Sequence, residues 1–420
     1  MSEKIELPKG WEVVNLKSIT DSIQYGYTES SSKEEVGPKF LRITDIQNNK
    51  VDWSNVPYCK IDTEVKKKYL LKDGDLLFAR TGATVGKSFL IKGNIPETVF
   101  ASYLIRVRVN KEINDNYLLY FFYSPNYWGQ ITDEQVGTGQ PNVNGTTLGQ
   151  LKIPLPTLSE QAAIVSKLEE LLSDLENGKQ QLLTAQAQLK VYRQSLLKWA
   201  FEGKLTNKKV KEGELPKGWK MVELGSLFKQ SPQNGLYKPA TDYGSGTRII
   251  RIDGFYEGVI VSDYDYKRVR LDDSEIEKYK LEIDDVLINR VNSMSHLGKC
   301  GLVKSLIETT VFESNIMRFK VDKNTIIPLF LTTYLSSIKG IRELVKNAKN
   351  AVNQASINQT DVSNATVPLP PLSEQTRIVE ELESKLTICD KIAETISQSL
   401  LQAETLRQSI LKKAFEGRLV

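Results

Sequence analysis

The chain is written twice, and that repetition limits its possible folds more tightly than anything else in the sequence. LPKGW at residues 7–11 returns at 215–219, and DLLFAR, ending at Arg80, answers to DVLINR, ending at Arg290. TVFASYLIRVRV (98–109) answers to TVFESNIMRFKV (310–321), then IPLPTLSEQ to VPLPPLSEQ, and finally LLKWAFEGKL to ILKKAFEGRL. The order never breaks, and the offset between copies grows only from 208 to 214 residues, so the insertions are small and sit in loops. Each copy reads as a globular unit of roughly 150 residues followed by a long helix, an arrangement that self-similarity at this period predicts. The expected boundaries are a first head at 1–152, a helix at 153–205, a polar linker TNKKVKEGE at 206–214, a second head at 215–366 and a final helix at 367–420. If the repeats close on themselves, FEGRLV at the end of the chain lies near residues 7–8, as FEGKL lies near 215–216.

The heads consist of short β-branched and aromatic runs broken by Gly, Pro, Asn and Asp, with a few helical stretches, which makes them α+β. Lysine plus arginine number 56 against 52 acidic residues, a net charge of +4. That excess allows a polyanionic partner only if the cations gather on one face. A single histidine, His296, and three distant cysteines, Cys59, Cys300 and Cys389, argue against a zinc site or a disulfide framework. With no apolar leader and no membrane-length apolar run, the expectation is a soluble, cytoplasmic protein.

The helices carry a heptad stripe. Ile164, Leu168, Leu171, Leu175, Leu182, Leu189 and Leu196 mark the first, with Gly178, Ala185, Tyr192 and Trp199 in the same register. Ile378, Leu382, Ile392, Ile396, Leu406 and Ile410 mark the second. Alternating steps of four and three describe a coiled-coil face, and two narrow stripes in one chain can bury each other. A helix of this length is a rod of roughly 60 Å, whereas the nine linker residues span only about 30 Å extended. The helices are therefore expected to run antiparallel. The fold class is α+β, with two pseudo-two-fold-related globular heads separated by two long helices packed as an antiparallel coiled coil.

RTGATVGKS at residues 80–88 resembles a phosphate-binding loop but lacks the glycine five positions before Gly86, where Thr81 stands, and an apolar run follows Ser88. The matching loop in the second copy, RVNSMSHLGKC, drops the early glycine and ends in Cys300. Arginine at the strand end and lysine after the loop persist in both, which suits a loop offered to DNA. A P-loop-like NTPase and a two-headed protein scaffold remain as alternative functions.

Two heads at fixed separation suit a duplex, in which each could occupy the major groove about a helical turn apart. The tandem layout, the PLPxLSEQ segments opening each long helix, the AFEGKL and AFEGRL endings and the GTGQPNVN loop resemble the specificity subunit of Type I restriction-modification systems. The resemblance covers essentially the whole chain. It implies two target recognition domains, each reading one half of a bipartite, asymmetric site with an unread spacer. It also implies helices that dock two modification (methyltransferase) subunits, and restriction subunits that act as translocase and nuclease. S-adenosylmethionine, ATP and Mg are then expected in those partners and no cofactor in this chain, which lacks an adenine-methyltransferase motif and is read as non-catalytic.

The candidate DNA-binding residues follow the repeat. Arg80 with Thr81 and Lys87, and Arg290 with Asn292 and Lys299, form the two loops; each arginine either contacts DNA or satisfies carbonyls at a strand end. Gln24, Tyr25, Tyr27 and Thr28, matched by Gln233, Asn234, Tyr237 and Lys238, form polar-aromatic loops that either read bases or simply turn the chain. Arg42 and Arg251 either reach DNA or pair with Asp45 and Asp253. Gln140, Asn142 and Asn144, with Gln354, Ser356 and Asn358, recur in both copies and position either a phosphate or a turn. Lys167, Glu170 and Arg193 lie on the outward helix face.

Overall fold

In both copies the apolar run after a conserved aspartate becomes the centre of a sheet. The computed structural model describes residues 7–47, 49–135, 143–207, 209–211, 213–256, 258–260, 265–351 and 354–420. Its contacts divide the chain into two compact units, Met1–Leu183 with Ser397–Val420, and Thr184–Ile396. In the first unit, β1 (Thr20–Tyr25), β2 (Leu76–Ala79), β3 (Ser88–Leu90) and β4 (Leu104–Val109) form an antiparallel sheet in the order β1-β4-β2-β3. In the second, β5 (Phe228–Asn234), β6 (Val286–Asn289), β7 (Cys300–Leu302) and β8 (Ile316–Val321) repeat that order as β5-β8-β6-β7. Two further strands, Gly258–Ile260 and Phe255–Tyr256, extend the second sheet beyond β7.

Continuous apolar runs in β2 and β6 mean that both faces of these strands are covered. Leu76 and Phe78 enter the larger core while Leu77 enters a smaller one on the opposite face; Val286, Ile288 and Leu287 divide the same way. Each head is closed by the strand at its beginning pairing with the strand that leads into its long helix. Glu12–Asn15 lies against Lys152–Leu155, and Lys220–Glu223 against Thr366–Leu369.

Two short helices precede those strands, α1 (Gly145–Gln150) in the first unit and α3 (Gln359–Ser363) in the second. The long helices are α2 (Leu158–Phe201) and α4 (Leu372–Phe415). Thr157 and Glu160 cap α2 reciprocally: the Glu160 carboxylate accepts the Thr157 N–H at 3.2 Å, and Thr157 Oγ1 accepts the Glu160 N–H at 3.4 Å. A buried glutamine then ties each helix to its head. The Gln161 side chain accepts from Asn114 N–H at 2.9 Å and donates to Pro156 O at 3.0 Å, and Gln375 does the same with Ile327 N–H at 2.8 Å and Pro370 O at 2.9 Å.

Within each unit the two helix segments run antiparallel. In the second, Arg193 pairs with Asp390, whereas Thr206, just beyond the end of α2, bonds Glu374 at the start of α4. In the first, Ile164, Val165 and Leu168 from the start of α2 share a core with Leu411, Ala414 and Phe415 from the end of α4. Ile378, Leu382, Ile396, Ile410 and Leu196 are buried, and Leu171, Leu175, Leu182 and Leu189 are half-buried.

The seam corrects the stripe at Gly178, Tyr192, Trp199, Ile392 and Leu406, all of them exposed. Ile392 is 44% exposed and Leu406 51% exposed. The residues turned inward beside the buried Ile396 and Ile410 are Ala393, Leu400 and Arg407, one place later. A step of four returns within about 40° of the starting direction and a step of three only within about 60°, so the second position of each heptad falls on the later residue. Tyr192 and Trp199 are exposed for the same reason beside the buried Ala200, and Arg193, expected on the outward face, is corrected: it is half-buried and pairs with Asp390 of the other helix.

The ends of the two copies fold alike. Gly203 and Gly417 both have left-handed backbone, with φ of +74° and +68°, and a Cβ on either would meet Pro216 or Pro8 at 2.2 Å. The FEGKL and FEGRL endings therefore pack on the Leu-Pro at the head of each repeat.

Candidate nucleic-acid interface

The hairpin between β2 and β3 has a closed neck. Ala79 N–H donates to Lys87 O at 2.8 Å and Gly86 N–H to Ala79 O at 2.9 Å. In the second head Asn289 N–H donates to Lys299 O at 2.8 Å and Gly298 N–H to Asn289 O at 2.9 Å. Gly86 and Gly298 are left-handed, with φ of +81° and +75°, and sit against Trp128 and Val345, where a Cβ would come within 3.3 Å and 3.0 Å. A strand follows each loop, not a helix, so the N-terminal helix dipole that a phosphate loop depends on is missing. This overturns the P-loop-like alternative. Lys87 is exposed on the neck, whereas Lys299 is half-buried.

Arg80 and Arg290 leave their strands through the same backbone bonds. Arg80 N–H donates to Tyr103 O at 2.9 Å and Arg80 O accepts from Val143 N–H at 3.0 Å; for Arg290 the partners are Asn315 O at 2.8 Å and Ile357 N–H at 3.0 Å. The side chains differ. The Arg80 guanidinium lies over the Tyr25 ring at 5.0 Å, with no hydrogen-bond or ion-pair partner among the described residues. Tyr25 Oη in turn accepts from Gly145 N–H at 2.8 Å, next to Asn144, which caps α1 by accepting from Thr146 and Thr147 N–H at 2.9 Å each. Arg80, Tyr25 and Asn144 are thus gathered at one place. Arg290 donates to Ser314 O at 3.0 Å, and burial lowers its pKa. Asn358 caps α3 in a reciprocal box with Asp361.

Most of the other predicted residues are engaged in the fold. The Gln24 carbonyl accepts from the buried Arg106 and that of Gln233 from Arg318, so the acceptor of each glutamine is taken up within its own head. Arg42 forms a two-pronged pair with Asp45 at 2.7 and 3.0 Å, and Arg251 pairs at 2.9 Å with Glu313, not Asp253. Both pairings raise the arginine pKa. The Tyr27 ring packs on Tyr69 at 5.3 Å and Lys238 pairs with Glu275 at 2.7 Å. Thr28, Asn234, Gln354 and Tyr237, the last 79% exposed, face solvent. Thr81 and Ser356 are half-buried, as is Asn292, whose side chain accepts from Ser293 N–H at 2.8 Å. Gln140 and Asn142 lie outside the described residues.

Sequence reasoning missed Tyr103, 63% exposed on the turn that receives the Arg80 N–H. A signal was present: within TVFxSx, the copies differ at Ala101/Glu313 and Tyr103/Asn315 while the frame around them is kept. Asn315 lines a cleft of about 560 Å³ whose charged members are Lys238, Arg251, Lys267 and Glu313.

The family model for the Type I restriction modification DNA specificity domain matches residues 8–185 and again 216–402. The StySPI specificity subunit of Salmonella potsdam is 30% identical over 99% of this chain and 90% of its own length. The EcoKI specificity subunit of Escherichia coli K12 is 28% identical over the same shares. A solved chain from a type I R-M system superposes with a TM-score of 0.76 at 20% identity, covering 98% of this chain and 99% of its own. The HsdS subunit of Thermoanaerobacter tengcongensis gives 0.63 at 21% identity, covering 99% of both chains. With two matched domains spanning most of its length and a duplicated frame around Arg80 and Arg290, the chain belongs to the family of Type I restriction-modification DNA specificity subunits.

Proposed function

We propose that the two heads read the two halves of a bipartite, asymmetric DNA site separated by an unread spacer. The long helices set that spacer and dock modification and restriction subunits in the cytoplasm. The observation that carries this is Arg80: a guanidinium stacked on Tyr25, with no acceptor among the described residues, on a loop whose frame recurs in the second head. An arginine in that state can present its fork to guanine O6 and N7 or to phosphate. Named relatives are specificity subunits of Type I restriction enzymes, which supports placing the methyl transfer, and with it S-adenosylmethionine, ATP and Mg, in partner subunits. On this reading the chain is not itself an enzyme. Mapping methylated adenine in DNA from cells carrying the chain with its modification partner tests the proposal. Two short fixed tracts separated by a constant number of unspecified bases are expected; one tract, or no preference, overturns it.

A further inference from the structure

Each head buries one arginine at the centre of its sheet, in the same setting. Arg106 on β4 stands opposite Gln24 in register and is 2% exposed. It donates through Nη1 to Leu70 O at 2.8 Å, and through Nη2 to Lys68 O at 3.1 Å and to the Gln24 side-chain oxygen. Its guanidinium lies 5.1 Å from the Phe100 ring and 3.9 Å from Asp75. Arg318 on β8 stands opposite Gln233, donates to Lys280 O and to the Gln233 side-chain oxygen, and lies 5.2 Å from Phe312 and 3.8 Å from Asp285. Leu70 and Lys280, Phe100 and Phe312, and Asp75 and Asp285 are themselves equivalent in the repeat.

A buried cation is a costly way to fill a strand centre, since a well-packed apolar side chain of similar volume is commonly as stable or more so. What the arginine adds is a tie to the last residue before each polar-aromatic loop. Immediately beyond the glutamines and their neighbours, Gly26 and Gly235 pass so close to the adjoining backbone that a Cβ would sit 2.2 Å from Ala101 O or Glu313 O. Clasp and squeeze together leave the chain one exit from the sheet. In the first head that exit puts Tyr25 beneath Arg80.

We propose that Arg106 and Arg318 are positioning residues for DNA reading: each clasps its glutamine to fix the exit of the recognition loop, and so aims the base-facing side chains of its own head. This rests on the DNA-reading function proposed above. The test is selection of bound duplexes from a randomised pool by the full chain assembled with its modification partner, run for the wild type, Arg106→Lys, Gln24→Leu and Gln24→Glu, with melting temperature measured for each. Arg106→Lys and Gln24→Leu should lose about tenfold or more of their base discrimination in one half-site, leave the other half unchanged and keep their affinity for unselected DNA. Gln24→Glu, which restores an acceptor for the guanidinium, should return the wild-type preference. Should Arg106→Lys fail to fold, Gln24→Leu decides, because Arg106 keeps its two carbonyl partners there. A lowered melting temperature with both half-sites read as before, or equal loss in both halves, overturns the inference. A wild type that selects no sequence overturns instead the DNA-reading proposal on which it rests.

Discussion

The two heads share a backbone frame and differ in how they satisfy their charges. In the first head Asp75 is gripped by Arg108 through two bonds, at 2.6 and 3.0 Å, and Arg80 has no acceptor among the described residues. In the second, the position of Arg108 is taken by Lys320, whose ammonium comes no closer to Asp285 than 3.7 Å, and Arg290 is bonded to Ser314 O. Arginine and lysine are not equivalent here, because only the planar fork meets a carboxylate along two bonds. A duplicated frame can therefore keep its shape while the electrostatics of each copy diverge.

Removing the aspartates is the harshest way to break this comparison. Asp75→Ala strands two arginines, one of them 2% exposed, and should destabilise the first unit by about 3–5 kcal/mol. Asp285→Ala should cost the second unit clearly less, because its carboxylate is less well compensated to begin with. Hydrogen exchange of the β4 and β8 amides in the full chain measures the two units separately; equal losses would mean the fork carries no weight.

The same difference predicts a pH dependence. Burial pushes the Asp285 carboxyl up from 3.8 to about 6, against the opposing pull of Arg318 and Lys320. The folded state therefore holds the proton more tightly than the unfolded one. The resulting stabilisation is fully present below the unfolded value and is lost as pH rises through about 6. Asp285→Asn should remove this decline, worth roughly 3 kcal/mol by the size of the shift, so that protection of β8 becomes flatter between pH 4 and 7. A wild type and variant with parallel profiles would refute this account.

Arg80 and Arg290 sharpen the functional side. Arg80→Ala should weaken binding to the recognised duplex by about 1–3 kcal/mol and relax one half-site, with little change in melting temperature. Arg290→Ala should show more of its effect in stability, because it releases Ser314 O inside the second head. Binding constants and base preferences for both variants decide. Matching effects on DNA would mean the Ser314 bond is given up in the complex.

The repeat made the architecture legible before any coordinates: two heads, two long helices and the Leu-Pro contact at each copy's end all followed from matched segments. The site was less legible, for a physical reason. A residue kept in both copies is kept for the frame as readily as for the partner, and Gln24 and Gln233 belong to the frame. The partner of each glutamine lies in a strand more than eighty positions away, Arg106 or Arg318, and no local spacing announces such a pair. The seam misled at Ile392 and Leu406 for a different reason: a step of four lies nearer a full turn than a step of three, so the buried position falls one residue later than the strict alternation places it. Arg42 and Arg251 carried two open readings; a partner three residues on supplied the first pair and a distant glutamate the second.

The smallest expected effect separates phosphate contact from base contact. Lys87 is exposed at the neck of its hairpin, whereas Lys299 is half-buried at the equivalent place. A phosphate contact releases a counterion and says nothing about sequence. Lys87→Ala should therefore lower affinity for specific and unselected duplexes alike and reduce the slope of log K against log salt by about 1, leaving the preferred bases unchanged. Lys299→Ala should change the slope by less, since a lysine already withdrawn from solvent has fewer conformations that reach a phosphate. Titrations at several salt concentrations distinguish these outcomes. If Lys87→Ala instead altered the preferred base with an unchanged slope, the lysine would be reading sequence, and the first head's hairpin would carry two readers where the second carries at most one.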